Sequence, residues 1–200
     1  MSGAAKRRQK ARALAASILC VVPLGFRTGL HAASLAAEHG GPPGGTIVLC
    51  RHGETDWNVQ GRLQGLSDIP LNGVGRSQAL EIAAAVKAGG ASVVVASPLL
   101  RARDTAAIVA DECGADLRID ARLREASLGV MEGRTAEEIN ATHPEVWAAW
   151  LASEPLPRQA RAEPCEAVAA RLEEAILEAA AAFPAGRVVV VTHGAAIPAC

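Results

Sequence analysis

Short apolar runs alternate along this chain with longer stretches in which apolar positions recur every three or four residues. Thr46 to Cys50 (TIVLC), Ser92 to Ala96 (SVVVA) and Arg187 to Val191 (RVVVV) are β-branched runs of strand length. After the first comes "LNGVGRSQALEIAAAVKAGG", with Leu80, Ala83, Ala84 and Lys87 at helical spacing and Gly89-Gly90 as a stop. After the second comes "LLRARDTAAIVADECG", for which Ser97 suits an N-cap, Pro98 the first helical position and Gly114 the C-terminal stop. Before the third, "VAARLEEAILEAAAAF" places Val168, Leu172, Ile176 and Ala179 on one face. Strands alternating with helices predict an α/β fold, a three-layer αβα sandwich around a mostly parallel sheet. Residues 122–164, with Trp147 and Trp150 in "HPEVWAAWL", read as a helical excursion over one edge that could act as a lid.

The pattern also divides the chain. Residues 1–44 have a basic start, an apolar middle and small residues after it, the layout of a cleavable targeting peptide, and they read equally as a disordered or upstream extension. The expected compartment is accordingly organellar in the first case and otherwise cytoplasmic. The apolar run 13–26 is short and broken by Pro23 and Gly25, which argues against an integral membrane domain. "HGGPPGG", His39 to Gly45, reads as a linker, so the folded domain is expected over residues 45–200.

Charge narrows the function classes. The formal net charge is -1, yet residues 1–45 carry six Lys/Arg against one acid and the remainder fourteen against twenty. A mildly acidic body argues against a nucleic-acid surface. Five cysteines without CxxC spacing indicate neither a disulfide framework nor a zinc knuckle. Cys50 reads as a core cysteine, Cys165 as a partly buried one and His143 as exposed.

The chemistry lies where the apolar runs end. Arg51-His52-Gly53 follows the first run and His193-Gly194 the third. In an open parallel sheet such junctions share one rim, outside the carboxyl ends of the strands, where ligands sit. Arg101, in the first helical turn after the second run, joins them at a helix N-terminus that favours anions. Two imidazoles and two guanidiniums at one rim suit a phosphoryl group. His39-Gly40 is the internal control: the same dipeptide in a linker, with no strand before it. A metal reading of His52 and Glu54 is weaker, because arginines aimed at a cation would oppose it. A zinc deaminase needs a second cysteine where Val168 stands.

"LCRHGETDWNVQGRLQGLSDIPLNGVGRSQA" resembles the signature of the histidine phosphatase superfamily, the phosphoglycerate mutase-like phosphatases. "SPLLRARDTA", "LREASLGVMEG" and "VVVTHG" resemble its later motifs, in family order. The resemblance implies that His52 attacks phosphorus and becomes a transient phosphohistidine, and that Arg51, Arg101 and His193 hold the phosphoryl oxygens. It also implies that Asn58 and Gln64 donate further hydrogen bonds and that Glu125 protonates the leaving alcohol and then activates water. Asn58 reads alternatively as a loop cap and Gln64 as a solvated loop residue, while Arg62 and Arg103 read as surface ion-pair partners. No metal or other cofactor is implied.

Two departures accompany the resemblance. The family usually continues past its second HG with a helix and a strand, whereas this chain stops seven residues after His193, so the expected domain is C-terminally truncated and lacks both. In "RAEPCEAVAAR", Pro164 stands where many relatives have a serine, which should change a helix cap. The mutases carry long segments around the proton donor, but only about forty residues separate Glu125 from Glu163. The expected activity is therefore hydrolysis of a small phosphorylated metabolite. Phosphoglycerate mutation is the alternative, and a catalytically silent phosphate-binding protein is a third reading.

Overall fold

The computed structural model describes residues 19–23 and 45–196. Four parallel strands form the sheet expected from the sequence: β2 (Thr46–Arg51), β3 (Val93–Ala96), β4 (Asp116–Ile119) and β5 (Arg187–Thr192). A fifth, β1 (Leu19–Pro23), runs antiparallel along the outer side of β2, giving the order β1-β2-β5-β3-β4. This strand falls within the stretch read as a leader. The rest of residues 1–44 lies outside the described residues. The polar strand β4 has only Leu117 shielded among exposed neighbours, so its apolar pattern was too weak to stand out in the sequence.

The strand side chains alternate between two cores, as the pleat requires. Val48, Cys50, Val94, Ala96, Val189 and Val191 pack under α2 (Gly73–Lys87) and α3 (Leu100–Cys113), which follow the four-residue helix α1 (Asp56–Val59). Ile47, Leu49, Val93, Val95, Val188 and Val190 pack on the opposite side under α6 (Cys165–Ala182). The two faces give the three layers. The connections β2-α2-β3 and β3-α3-β4 step outward on one face, and α6 returns the chain on the other to place β5 between β2 and β3. A reversal of direction demands this change of face if every crossover is to stay right-handed.

Two local expectations change. Helix α2 forms where expected, but it buries Gly75, Ala79, Ile82, Ala83 and Val86, leaving Leu80 52 % exposed and Ala84 and Lys87 outside. The small residues allow close approach: a Cβ on Gly53 would collide with the Gly75 carbonyl, and one on Gly75 with the backbone of Glu54. Helix α3 begins at Leu100, with Leu99 as an N-cap that offers no side-chain bond. Its first turn is instead served by a distant carboxylate, since the Leu100 N–H donates to Asp68 Oδ1 at 2.6 Å. Gly114 ends it in the left-handed conformation, as expected (φ 63°).

The excursion contains α4 (Ala136–Thr142) and α5 (Pro144–Ala152), and it is part of the core. Leu123, Ala126, Leu128, Met131, Ile139, Val146 and Ala160 are buried with the sheet and α6, and Trp147 and Trp150 pack against them. Helix α6 presents Val168, Leu172, Ala175, Ile176 and Ala180 to that core and starts at Pro164 without a side-chain cap. No helix among the described residues is long and apolar enough to cross a membrane.

Candidate phosphoryl-transfer site

Parallel pairing of β2 with β5 sets Arg51 opposite Thr192, so the next residues of the two strands are His52 and His193. The His52 N–H continues the ladder to the Thr192 carbonyl at 3.1 Å, and the Ser97 N–H does the same beyond β3, to the Val191 carbonyl at 3.1 Å. The three junctions meet at one rim. The rings of His52 and His193 lie 5.2 Å apart, tilted by 56°. Arg51, His52, Arg101, Glu125 and His193 are all buried.

The protonation pattern of His52 follows from one contact. Its Nδ1 lies 2.7 Å from the carbonyl of Gly53, which can only accept, so Nδ1 carries the hydrogen and Nε2 the lone pair. Burial, and then the charges of Arg101 and Arg51, hold its pKa well below the ordinary 6.5. The glycine beside it is fixed from below, where the Gly53 N–H donates to Thr105 Oγ1 at 3.0 Å and that hydroxyl donates to the Arg101 carbonyl at 2.7 Å. Gly53 thus serves the close packing of the His52 loop on α2.

Arg101 is fully buried, and its guanidinium is held by carbonyls: Nη1 donates to Ser67 at 2.7 Å and Nη2 to Gly65 at 2.8 Å. Burial pulls its pKa down to about 10, a value that still leaves it cationic at neutral pH. Carbonyls orient the group without neutralising it. Among the described residues, four buried side-chain polar atoms have no hydrogen-bond partner, and three belong to this site: Arg51 Nε, Arg101 Nε and His193 Nδ1. Buried donors left unmatched are costly in a folded protein. An anion accepting from the two guanidinium N–H groups, and from Nδ1 when that atom carries a hydrogen, would satisfy them, and a phosphoryl group, with three equatorial oxygens, has the acceptors to do so.

Glu125 sits on the excursion side of the rim, between the 3-10 turn Ala121–Leu123 and the turn Gly129–Met131. Its Oε1 accepts from the Ala126 N–H at 2.9 Å and its Oε2 from the Ala195 N–H at 3.1 Å. Burial raises its pKa, an effect opposed by those two hydrogen bonds and by Arg101 and Arg51. A carboxyl so placed keeps its proton to higher pH than a solvated glutamate does, which suits a general acid. Arg171 of α6 holds the loop behind it, donating to the carbonyls of Arg122 and Arg124 at 2.6 Å each and of Glu125 at 3.2 Å. Glu163 fixes Arg171 in turn through two contacts of 2.9 Å.

Asn58 and Gln64 come together through Thr55, whose hydroxyl lies 3.0 Å from Asn58 Oδ1 and 3.1 Å from Gln64 Oε1. Asn58 completes a capping box with Thr55 at the start of α1, so the loop-cap reading describes what its oxygen does. Gln64 is buried, against the reading of a solvated residue. With both oxygens turned to Thr55, the NH2 groups are the ends left to serve another acceptor. Glu54, the second half of the metal reading, accepts from Asn72 Nδ2 at 2.9 Å, and that asparagine caps α2.

Around the site, Arg62 pairs with Glu138 at 2.9 Å and Arg103 lies 3.5 Å from Asp104. Cys50 is a buried core cysteine whose thiol burial pushes up to about 12. Cys165 is exposed at the start of α6 where partial burial was expected, because Val168 and Leu172 turn the other face of the helix to the core. His143 is half-buried between α4 and α5, with Nδ1 2.9 Å from Thr142 Oγ1. Sequence reasoning missed Ser97 as a site residue, the bridging Thr105, and the carbonyls of Gly65 and Ser67. Backbone acceptors leave no residue-type signal, and a serine before a helix looks like a cap.

Comparison with known proteins bears on the family and the fold. The chain is 37 % identical over 153 residues to a probable phosphoglycerate mutase GpmB of Escherichia coli O1:K1, covering 76 % of this chain and 70 % of that one. Among solved structures it is similar to a mycobacterial glucosyl-3-phosphoglycerate phosphatase in complex with VO3, with 36 % identity, a TM-score of 0.70, and 76 % and 77 % of the two chains covered. It is also similar to a phosphoserine phosphatase from Entamoeba histolytica in complex with 3-phosphoglyceric acid, with 30 % identity, a TM-score of 0.66 and 76 % of each chain covered. The model of the histidine phosphatase superfamily (branch 1) matches residues 47–200. The chain belongs to the histidine phosphatase superfamily, branch 1.

Proposed function

We propose that the protein is a metal-independent phosphomonoester hydrolase that acts on a small phosphorylated metabolite through a phosphohistidine at His52. The observation that carries this reading is the gathering at one rim of unmatched buried polar atoms on Arg51, Arg101 and His193, two of them guanidinium N–H donors, beside an imidazole whose Nε2 lone pair is free. In the first step the Nε2 lone pair of His52 attacks phosphorus, the ester P–O bond breaks, and Glu125 gives its proton to the departing alkoxide. In the second, water attacks phosphorus, its proton passes to the Glu125 carboxylate, and the P–N bond breaks to return neutral His52 and inorganic phosphate. Arg51, Arg101 and His193 offset the charge on the equatorial oxygens in both steps, and the NH2 groups of Asn58 and Gln64 add donors.

Phosphate release from p-nitrophenyl phosphate, retained in EDTA and abolished by His52→Ala, is the expected result. Full activity in His52→Ala would remove the nucleophile assignment, and loss in EDTA restored by a divalent ion would remove metal independence. Phosphoglycerate mutation is the second reading, favoured by the identity to the probable phosphoglycerate mutase of Escherichia coli O1:K1. Hydrolysis is preferred because the segment after Glu125 is short and folded into the core. Rapid conversion of 3-phosphoglycerate to its 2-isomer with little phosphate release would decide for the mutase.

A further inference from the structure

We infer that Ser97 is a positioning residue that sets the tautomer of His193, donating its hydroxyl hydrogen to His193 Nε2 so that Nδ1 carries a hydrogen into the phosphoryl site. Both side chains are fully buried, and Ser97 Oγ lies 2.7 Å from His193 Nε2. Distance alone leaves the direction of this bond open. The hydroxyl's other contact decides it, because the Leu99 N–H donates to Ser97 Oγ at 3.2 Å and so occupies an acceptor position on the serine.

A serine has one hydrogen to give. If Nε2–H donated to Oγ, the hydroxyl would accept twice and its hydrogen would have no acceptor in a fully buried position. Nδ1, already without a partner, would then present a lone pair toward phosphoryl oxygens. In the opposite assignment every group is matched except Nδ1–H, on a ring whose centroid lies 5.2 Å from that of His52. A donor there binds an anion and a lone pair repels it. The serine that opens "SPLLRARDTA" therefore acts through His193, while Arg101 of the same segment acts directly.

This inference rests on the phosphoryl site proposed above, and the two can fail separately. Two-bond 1H–15N correlation spectra of the imidazoles in the wild-type protein should show His193 with hydrogen on Nδ1 and none on Nε2. Finding the hydrogen on Nε2 overturns the inference without any variant. In Ser97→Ala, His193 should show mixed tautomers, and the Kd for vanadate should rise about tenfold, the scale of one hydrogen bond to an anion. Ser97→Thr, which keeps the hydroxyl, should restore both readouts. An unchanged tautomer and unchanged vanadate affinity in Ser97→Ala would overturn the role of Ser97 and leave the site standing. If wild-type protein and His52→Ala release phosphate equally, the site reading fails whatever the tautomer.

Discussion

His52 and His193 are held neutral, which suits the proposed chemistry and has a stability cost. Burial first, then neighbouring cations, put both well below 6.5 in the folded protein. The unfolded chain takes up protons below 6.5 while the folded protein does not, so stability falls as the pH drops from there toward the folded values. The slope is about 1.4 kcal/mol per pH unit for each histidine. Glu125 has the opposite sign: its folded pKa is raised above 4.5, so its contribution is fully present below 4.5 and fades as the pH rises through the folded value. Urea unfolding at about pH 7 and about pH 5.5 should show a loss in the wild-type protein that is smaller by roughly 1 kcal/mol in His52→Ala. Equal losses would mean that His52 titrates normally when folded. Glu125 makes a second prediction at this scale. Glu125→Gln should lower kcat/KM for alkyl phosphates by about 10²–10⁴-fold, and that for p-nitrophenyl phosphate far less, since p-nitrophenolate leaves without a proton, while the later attack of water, common to both substrates, slows alike. Equal effects on both would remove its role as the acid.

At the scale of elements, the strand ends position the histidines and α6 positions the acid. Arg171 reaches from α6 to the carbonyls of Arg122, Arg124 and Glu125, with Glu163 locking it in place. The pair is nearly enclosed, with side chains 12 % and 13 % exposed. Arg171→Met should therefore cost about 2–4 kcal/mol of stability, by leaving Glu163 and the carbonyls unmatched. It should also lower kcat/KM for alkyl phosphates more than for p-nitrophenyl phosphate, because it loosens the proposed acid and not the nucleophile. A stability loss with both substrates affected alike would make the staple purely structural. This bond set was hidden in the sequence, where Arg171 is one arginine in an amphipathic helix. The β-branched runs and the α6 face were legible because burial on a sheet or under a helix repeats with a fixed period. The face of α2 was misread because Gly75 and Ala79, not Leu80, permit the close packing against the His52 loop. The cap of α3 was misread because Asp68 supplies it from thirty-two residues away.

Across the whole molecule, the parallel sheet makes one site from segments far apart in the chain. Arg51, His52 and His193 were readable because they end apolar runs, and Arg101 because it opens the helix after one; parallel strands bring such junctions to one rim. Glu125 was readable only through the resemblance, since nothing in its local pattern marks a carboxyl that will be buried against Ala126 and Ala195. The strand order was not readable, because the place of β5 between β2 and β3 follows from α6 crossing the opposite face. That order sets His52 beside His193, and everything in the proposed chemistry follows from a phosphoryl group that transfers to His52. The most direct measurement is a rapid quench of the wild-type protein during turnover of 32P-labelled phosphomonoester, followed by peptide mapping. The account predicts an acid-labile, base-stable 32P label on the peptide containing His52, absent in His52→Ala. Turnover with the label on another residue, or undiminished in His52→Ala, would contradict it.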